Sequence, residues 1–261
     1  MLPISDAARQ RLARLGAFNR AGGVNYHMRA HQHAKRLWEP FRWALGEWLL
    51  GWQPPERNLL LVGPSAGYNL QPFLFERFER VIVLEPDPIA RWLFKRRLAR
   101  APLEPRPRLE LVAADHFVEH PERLQPLLEL HEPCAVLFSN IIGQLTVLLE
   151  EEPPGERLPA VRRAVASALA GRSWASFHDR VSGPLPPRIE GIVHTSQRWS
   201  DDELLAHAYD GGAAPHVIEL VDHHTEGFFP KGVPHAYLSW ELSPGEHHLI
   251  EAVAAVAPEP A

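Results

Sequence analysis

Five groups of residues in this chain have the types and spacing to do chemistry. The first is the turn Gly63-Pro64-Ser65-Ala66-Gly67 together with Glu85, which follows Gly63 by 22 residues. Glycines let backbone approach a ligand where a side chain would clash. A carboxylate one strand further on can accept hydrogen bonds from both hydroxyls of a ribose, so the pair points to a nucleoside-containing cofactor held by Gly63, Ser65, Gly67 and Glu85. The other groups are Asp115-His116, Asn140, His178-Asp179-Arg180, and the run Asp222-His223-His224-Thr225-Glu226 with His235. Neutral imidazole binds zinc or iron, so a histidine–carboxylate metal site is a further reading of the last group. Adjacent histidines on a strand face opposite ways, however, and no metal ligand is assigned. His27 and His31 share a helical face but lack the Glu of a zinc-protease motif.

Elements of a doubly wound sheet must position these residues. The runs Leu59–Val62 and Val81–Leu84 are apolar without alternation, as parallel strands buried on both faces should be. A helix beginning near Asn69 is expected between them. The crossover then returns Glu85 beside the glycine turn. Leu109–Val112 reads as a third strand, with Asp115 and His116 past its end, and a helix over 119–130 follows. Cys134–Ser139 reads as a fourth strand with Asn140 at its tip. After a helix over Pro159–Leu169, Trp174–Phe177 reads as a short fifth strand that His178-Asp179-Arg180 terminates. Ligands in open α/β sheets bind beyond the carboxyl ends of the strands, and each of these ends is polar or glycine-rich.

Further along, Arg188–Thr195 reads as an extra strand and Ser200-Asp201-Asp202-Glu203 as a capping box that opens a helix to Tyr209. Val217–Val221 and Ala236–Leu242 alternate better and are expected to form an antiparallel edge pair. Leu249–Val256 fits strand or helix, and His247-His248 is expected at the surface. At the amino end, Ser5–Leu15 reads as a short helix and Tyr26–Trp52 as a longer one broken near Pro40. Trp38, Phe41, Leu45, Trp48 and Leu49 give it an apolar stripe expected to pack on the core. The expected division is a helical extension over 1–55 and an α/β domain over 56–257.

The strings LLLVGPSAG, VIVLEP, LVAADHF and AVLFSNIIG, in that order, resemble the class I S-adenosylmethionine-dependent methyltransferases. The resemblance implies a mostly parallel seven-stranded sheet, S-adenosylmethionine as cofactor, Asp115 and His116 beside the adenine, and an acceptor that is a small molecule or a protein side chain. In that family N-terminal helices often cover the cofactor. Methyl transfer requires alignment of the acceptor and removal of its proton, for which His178 is the expected base, with Asp179 and Asn140 beside it. Two departures stand out. Leu61 replaces a frequent first-strand acid, and Ser65 replaces the middle glycine. A catalytically silent descendant that binds a nucleoside or a protein partner is therefore the alternative. A nicotinamide site fits less well, since the turn lacks G-x-G-x-x-G.

Composition narrows the classes. Hydrophobic residues make up 45% of 261, enough for a buried core, and the net charge of −5 gives no general basic field for nucleic acid. Asn140 also lacks the Pro-Pro-aromatic continuation of base-amine methyltransferases. The single cysteine, Cys134, excludes an intramolecular disulfide and reads as a core thiol. Without a signal peptide or a membrane-length apolar run, a cytoplasmic location is expected.

Overall fold

The computed structural model describes residues 23–113, 118, 120–149, 155–209 and 220–258. Its centre is one mixed sheet built from β1 (Asn58–Val62), β2 (Arg80–Leu84), β3 (Arg108–Val112), β4 (Ala135–Ser139), β5 (Trp174–Gly183), β6 (Val193–Thr195), β7 (Val221–Asp222), β8 (His235–Ser243) and β9 (Glu246–Ala255). The spatial order is β3-β2-β1-β4-β5-β9-β8-β6, with β7 on β5. The first five strands are parallel, and β9 lies antiparallel between β5 and β8. This is the class I methyltransferase-like arrangement expected above, extended by the short β6 and β7.

The apolar runs have the predicted reason. Leu59 and Leu61 of β1 face one core with Val81 and Val83, while Leu60 and Val62 face a second core with Ile82 and Leu84. The first core is closed by α1 (Gly23–His33), α2 (Glu39–Gly51) and α3 (Pro88–Arg100), which contribute Ala30, Phe41, Leu45, Phe94 and Leu98. The second is closed by α4 (Leu124–Leu130), α5 (Leu145–Leu149) and α6 (Arg157–Leu169). The aromatic stripe does pack inward. Trp38 is fully buried, its indole donates to the Leu242 carbonyl at 2.9 Å, and Phe41 stacks on Trp240 with centroids 5.0 Å apart. Pro40 stands in the first turn of α2, where its missing N–H costs nothing, so the break falls before it.

Several expectations are corrected. No α-helix starts near Asn69: a 3-10 turn over Pro72–Arg77 makes the crossover, and another over Pro121–Arg123 precedes α4. The fifth strand does not stop at Phe177. It runs to Gly183, because the long antiparallel β9 supplies partners as far as His247. His178, Asp179 and Arg180 are therefore interior strand residues. The partners of β8 are β9 and β6, not Val217–Val221, of which only Val221 enters a described strand. The capping box is present at α7 (Asp201–Ala208), where Ser200 and Glu203 bond reciprocally. The helix expected at Ser5–Leu15 and the loop around Asp115 and His116 lie outside the described residues. No described helix is long and apolar enough to cross a membrane.

Candidate functional site

The glycine turn and Glu85 meet as the crossover argument requires. Glu85 is 7% exposed, and its two carboxylate oxygens accept one backbone N–H each, from Ser65 at 2.8 Å and from Asp87 at 3.0 Å. Burial pushes this carboxyl up to about 7, with the two amides pulling the other way. One lone pair on each oxygen is left for further donors. Asp87 caps α3 through the Ile89 N–H and lies 3.4 Å from His27 of α1. Nearby, the Asn69 side-chain carbonyl is buried without a hydrogen-bond partner.

The glycines themselves serve packing. Gly63 and Gly67 have φ of +64° and +68°, and a Cβ on Gly67 would stand 2.7 Å from the Phe94 ring; on Gly63 it would stand 3.0 Å from Ile141. Protein atoms alone therefore crowd a side chain at both positions. Ser65, in place of the middle glycine, adopts φ +52° and turns its amide onto Glu85. Leu61 is wholly in the core, so β1 presents no acid here.

A second feature opens beside the ends of β4 and β5, a cavity of about 290 Å³. Asn25, Tyr26 and Arg29 of α1 form one wall; Asn140, Gln144, Asp179, His223 and His248 line the floor. Asp179 is fully buried, and three of its four acceptor sites are engaged, which leaves one on Oδ1. Its Oδ2 accepts from Asn140 at 3.1 Å and from Gln144, and its Oδ1 faces His248 Nδ1 at 2.9 Å. Asn140 returns the contact by accepting the Asp179 N–H at 2.9 Å, with φ +58° placing its amide for both bonds. Burial alone would pull His248 down, but Asp179 and then Glu246 outweigh it and raise it to about 9. Burial likewise opposes ionisation of Asp179, yet His248, His223 and Asn140 hold it well below the usual carboxylate range.

The bulge between Asp179 and Val181 sets this geometry. Residues three apart on a regular strand face opposite ways, and one extra residue restores their parity. Asp179 and Ser182 both reach the cavity for that reason. Gly143 matters equally: a Cβ there would stand 2.6 Å from the Asp179 backbone nitrogen. Its carbonyl accepts from His223 Nδ1 at 2.7 Å, which leaves a lone pair on His223 Nε2, 3.0 Å from the Ser182 hydroxyl.

The structure therefore joins Asp179 and Asn140 but parts them from His178. That imidazole is 0% exposed and sits on the opposite face of the sheet, 3.0 Å from the Ser176 hydroxyl, 3.5 Å from Glu251 and stacked on Phe229. Burial pulls its pKa down, with Glu251 opposing. It does not face the cavity, so the expected base assignment is corrected. His235 belongs to this same buried group, 2.8 Å from Glu251. Sequence reasoning missed Gln144 and His248. The signal for His248 was available, because one of two adjacent strand histidines must point inward. Placement of Asp115 and His116 falls outside the described residues.

No family model and no curated protein matches this chain. Solved structures do resemble it at low identity. An O-methyltransferase from Bacillus cereus in complex with S-adenosylhomocysteine is 12% identical, with 98% of this chain and 93% of that one covered and a TM-score of 0.34. The glycopeptide N-methyltransferase MtfA is 15% identical over 83% of this chain and 91% of its own, with a TM-score of 0.38. The N-terminal domain of EvdMO1 with S-adenosylhomocysteine bound is 12% identical over 97% and 98%, also with a TM-score of 0.38.

Proposed function

We propose that this chain is an S-adenosylmethionine-dependent methyltransferase acting on a small molecule or a protein side chain. One observation carries the reading: a buried carboxylate, Glu85, is held against the glycine turn while a polar cavity opens at the ends of the neighbouring strands. The residues present fit the adenosine end of the cofactor. Glu85 retains acceptor capacity for a ribose diol, and Asn69 offers an unpaired carbonyl. The bound cofactor would supply an activated methyl on a sulfonium. The chain itself must orient the acceptor, exclude water and manage its proton. Tyr26 and Arg29 wall the cavity, and the group Asp179, His223 and His248 faces the acceptor position, assisted by Asn140 and Gln144.

The alternative, a nucleoside- or partner-binding protein without catalysis, draws on one feature: Leu61 leaves the methionine end without the usual acid. Calorimetry separates the two. Saturable one-to-one binding of both S-adenosylmethionine and S-adenosylhomocysteine supports the enzyme. Binding of adenosine with no preference for either cofactor favours the silent protein, and no binding at all removes the site.

A further inference from the structure

We propose that Asp179, His223 and His248 form a binding site for a divalent transition-metal ion. One ligand atom from each of the three lies within 4.8 Å of the other two, and all three side chains are buried. They come from β5, from the residue after β7 and from β9, so three separate elements deliver donors to one point. The spacing suits coordination. Two donors about 2.1 Å from one ion and at right angles to it stand about 3 Å apart, and Asp179 Oδ1 and His248 Nδ1 are separated by 2.9 Å.

Tautomer and charge agree. The Gly143 carbonyl holds the His223 proton on Nδ1 and so presents Nε2 as a lone pair, the outer contact that metal-bound histidines use. Among the described residues no arginine or lysine pairs with the fully buried Asp179, whose sole ion-pair partner is His248. A divalent cation there would balance the carboxylate in place of the proton on His248, which metal binding would release. His248 Nε2 is buried without a hydrogen-bond partner and lies 4.0 Å from Glu246 Oε1, which accepts from Arg29 at 3.1 Å. Two imidazoles and one carboxylate select zinc, iron or cobalt over magnesium and calcium, which prefer all-oxygen sites. Because the cavity continues beyond the three ligands, open coordination positions face the acceptor space. The use of such an ion, Lewis-acid activation of an acceptor oxygen, rests on the methyltransfer reading; its binding does not.

The test uses the full chain, stripped with a chelator and dialysed against zinc, cobalt or magnesium, with metal content read by mass spectrometry. One equivalent of zinc or cobalt at micromolar free ion is expected, with no retained magnesium and with a cobalt visible spectrum of mixed nitrogen and oxygen ligation. His223→Ala and His248→Ala should each weaken zinc binding by about a hundredfold or more, beyond what loss of an outer contact costs. His247→Ala, one residue away on the other face, should change nothing. Asp179→Asn serves if an alanine variant fails to fold, and should also abolish the cobalt spectrum. No stoichiometric metal, equal retention by wild type and both histidine variants, or preference for magnesium would each overturn the site. Metal binding without cofactor binding would retain the site and reject the methyltransfer reading.

Discussion

Glu85 makes the sharpest demand on the cofactor proposal, because its burial ties affinity to pH. The carboxyl is pushed from an ordinary 4.5 to about 7, chiefly by desolvation. A ribose diol donates to the ionised form, so binding should follow the ionised fraction, about 90% at pH 8 and about 10% at pH 6. The dissociation constant for S-adenosylhomocysteine should therefore rise about tenfold between those values, and isothermal titration at constant ionic strength reads it directly. In Glu85→Gln the slope should vanish and affinity at pH 8 should drop about ten- to hundredfold, the cost of charge-assisted bonds. Stability moves the opposite way. A raised carboxyl stabilises the fold below its unfolded value, near 4.5, and that contribution, about 3 kcal/mol, is lost as pH rises through about 7. In Glu85→Gln this pH dependence of stability should be absent, while one of the two backbone amides loses its acceptor and binding at pH 8 is poor. A flat affinity profile from pH 6 to 8 with the wild-type protein would refute the assignment of Glu85 to the ligand.

Other outcomes follow from packing. His178→Ala leaves Glu251 buried beside fewer partners, so chemical denaturation should show a loss of about 3 kcal/mol or more with turnover per folded molecule unchanged; unchanged stability with a hundredfold loss of turnover would restore His178 as the base. Gly143→Ala should force the segment carrying Gln144 off β5, since its Cβ would meet the Asp179 nitrogen at 2.6 Å, and a lowered melting temperature is expected; wild-type melting would show that this contact gives way freely. Deleting residues 1–52 should produce aggregation, because Trp240 and the rest of the first core lose the cover of Trp38 and Phe41. A soluble, equally stable remainder would show that the stripe serves another partner.

What the sequence revealed and what it hid have the same cause. β1, β2 and β4 are short parallel strands buried on both faces, so each appears as an unbroken apolar run whose end marks the ligand edge. Glu85 was legible because one crossover fixes its return. β5 was not, because beyond Phe177 it buries His178, Asp179 and Arg180, whose charges are compensated by residues far along the chain. Polar letters read as a strand end when their partners are unseen. The same blindness hid the cavity: Asp179 and His248 are 69 residues apart, and no local spacing announces them. The bulge that keeps Asp179 and Ser182 on one face leaves no local mark either.

The indole of Trp38 reaching Leu242 spans 204 residues. Ribosomes add about 5–20 residues each second, so at those rates the first helices wait about 10–40 s before the hairpin they cover has been made. Throughout that interval Phe41, Leu45 and Leu49, all buried in the finished protein, have no final place to go. The cavity wall formed by Tyr26 and Arg29 is translated long before His248 and Glu246, which line the same cavity. A premature stop anywhere before β9 therefore yields a product that lacks Glu246 and His248 from the cavity.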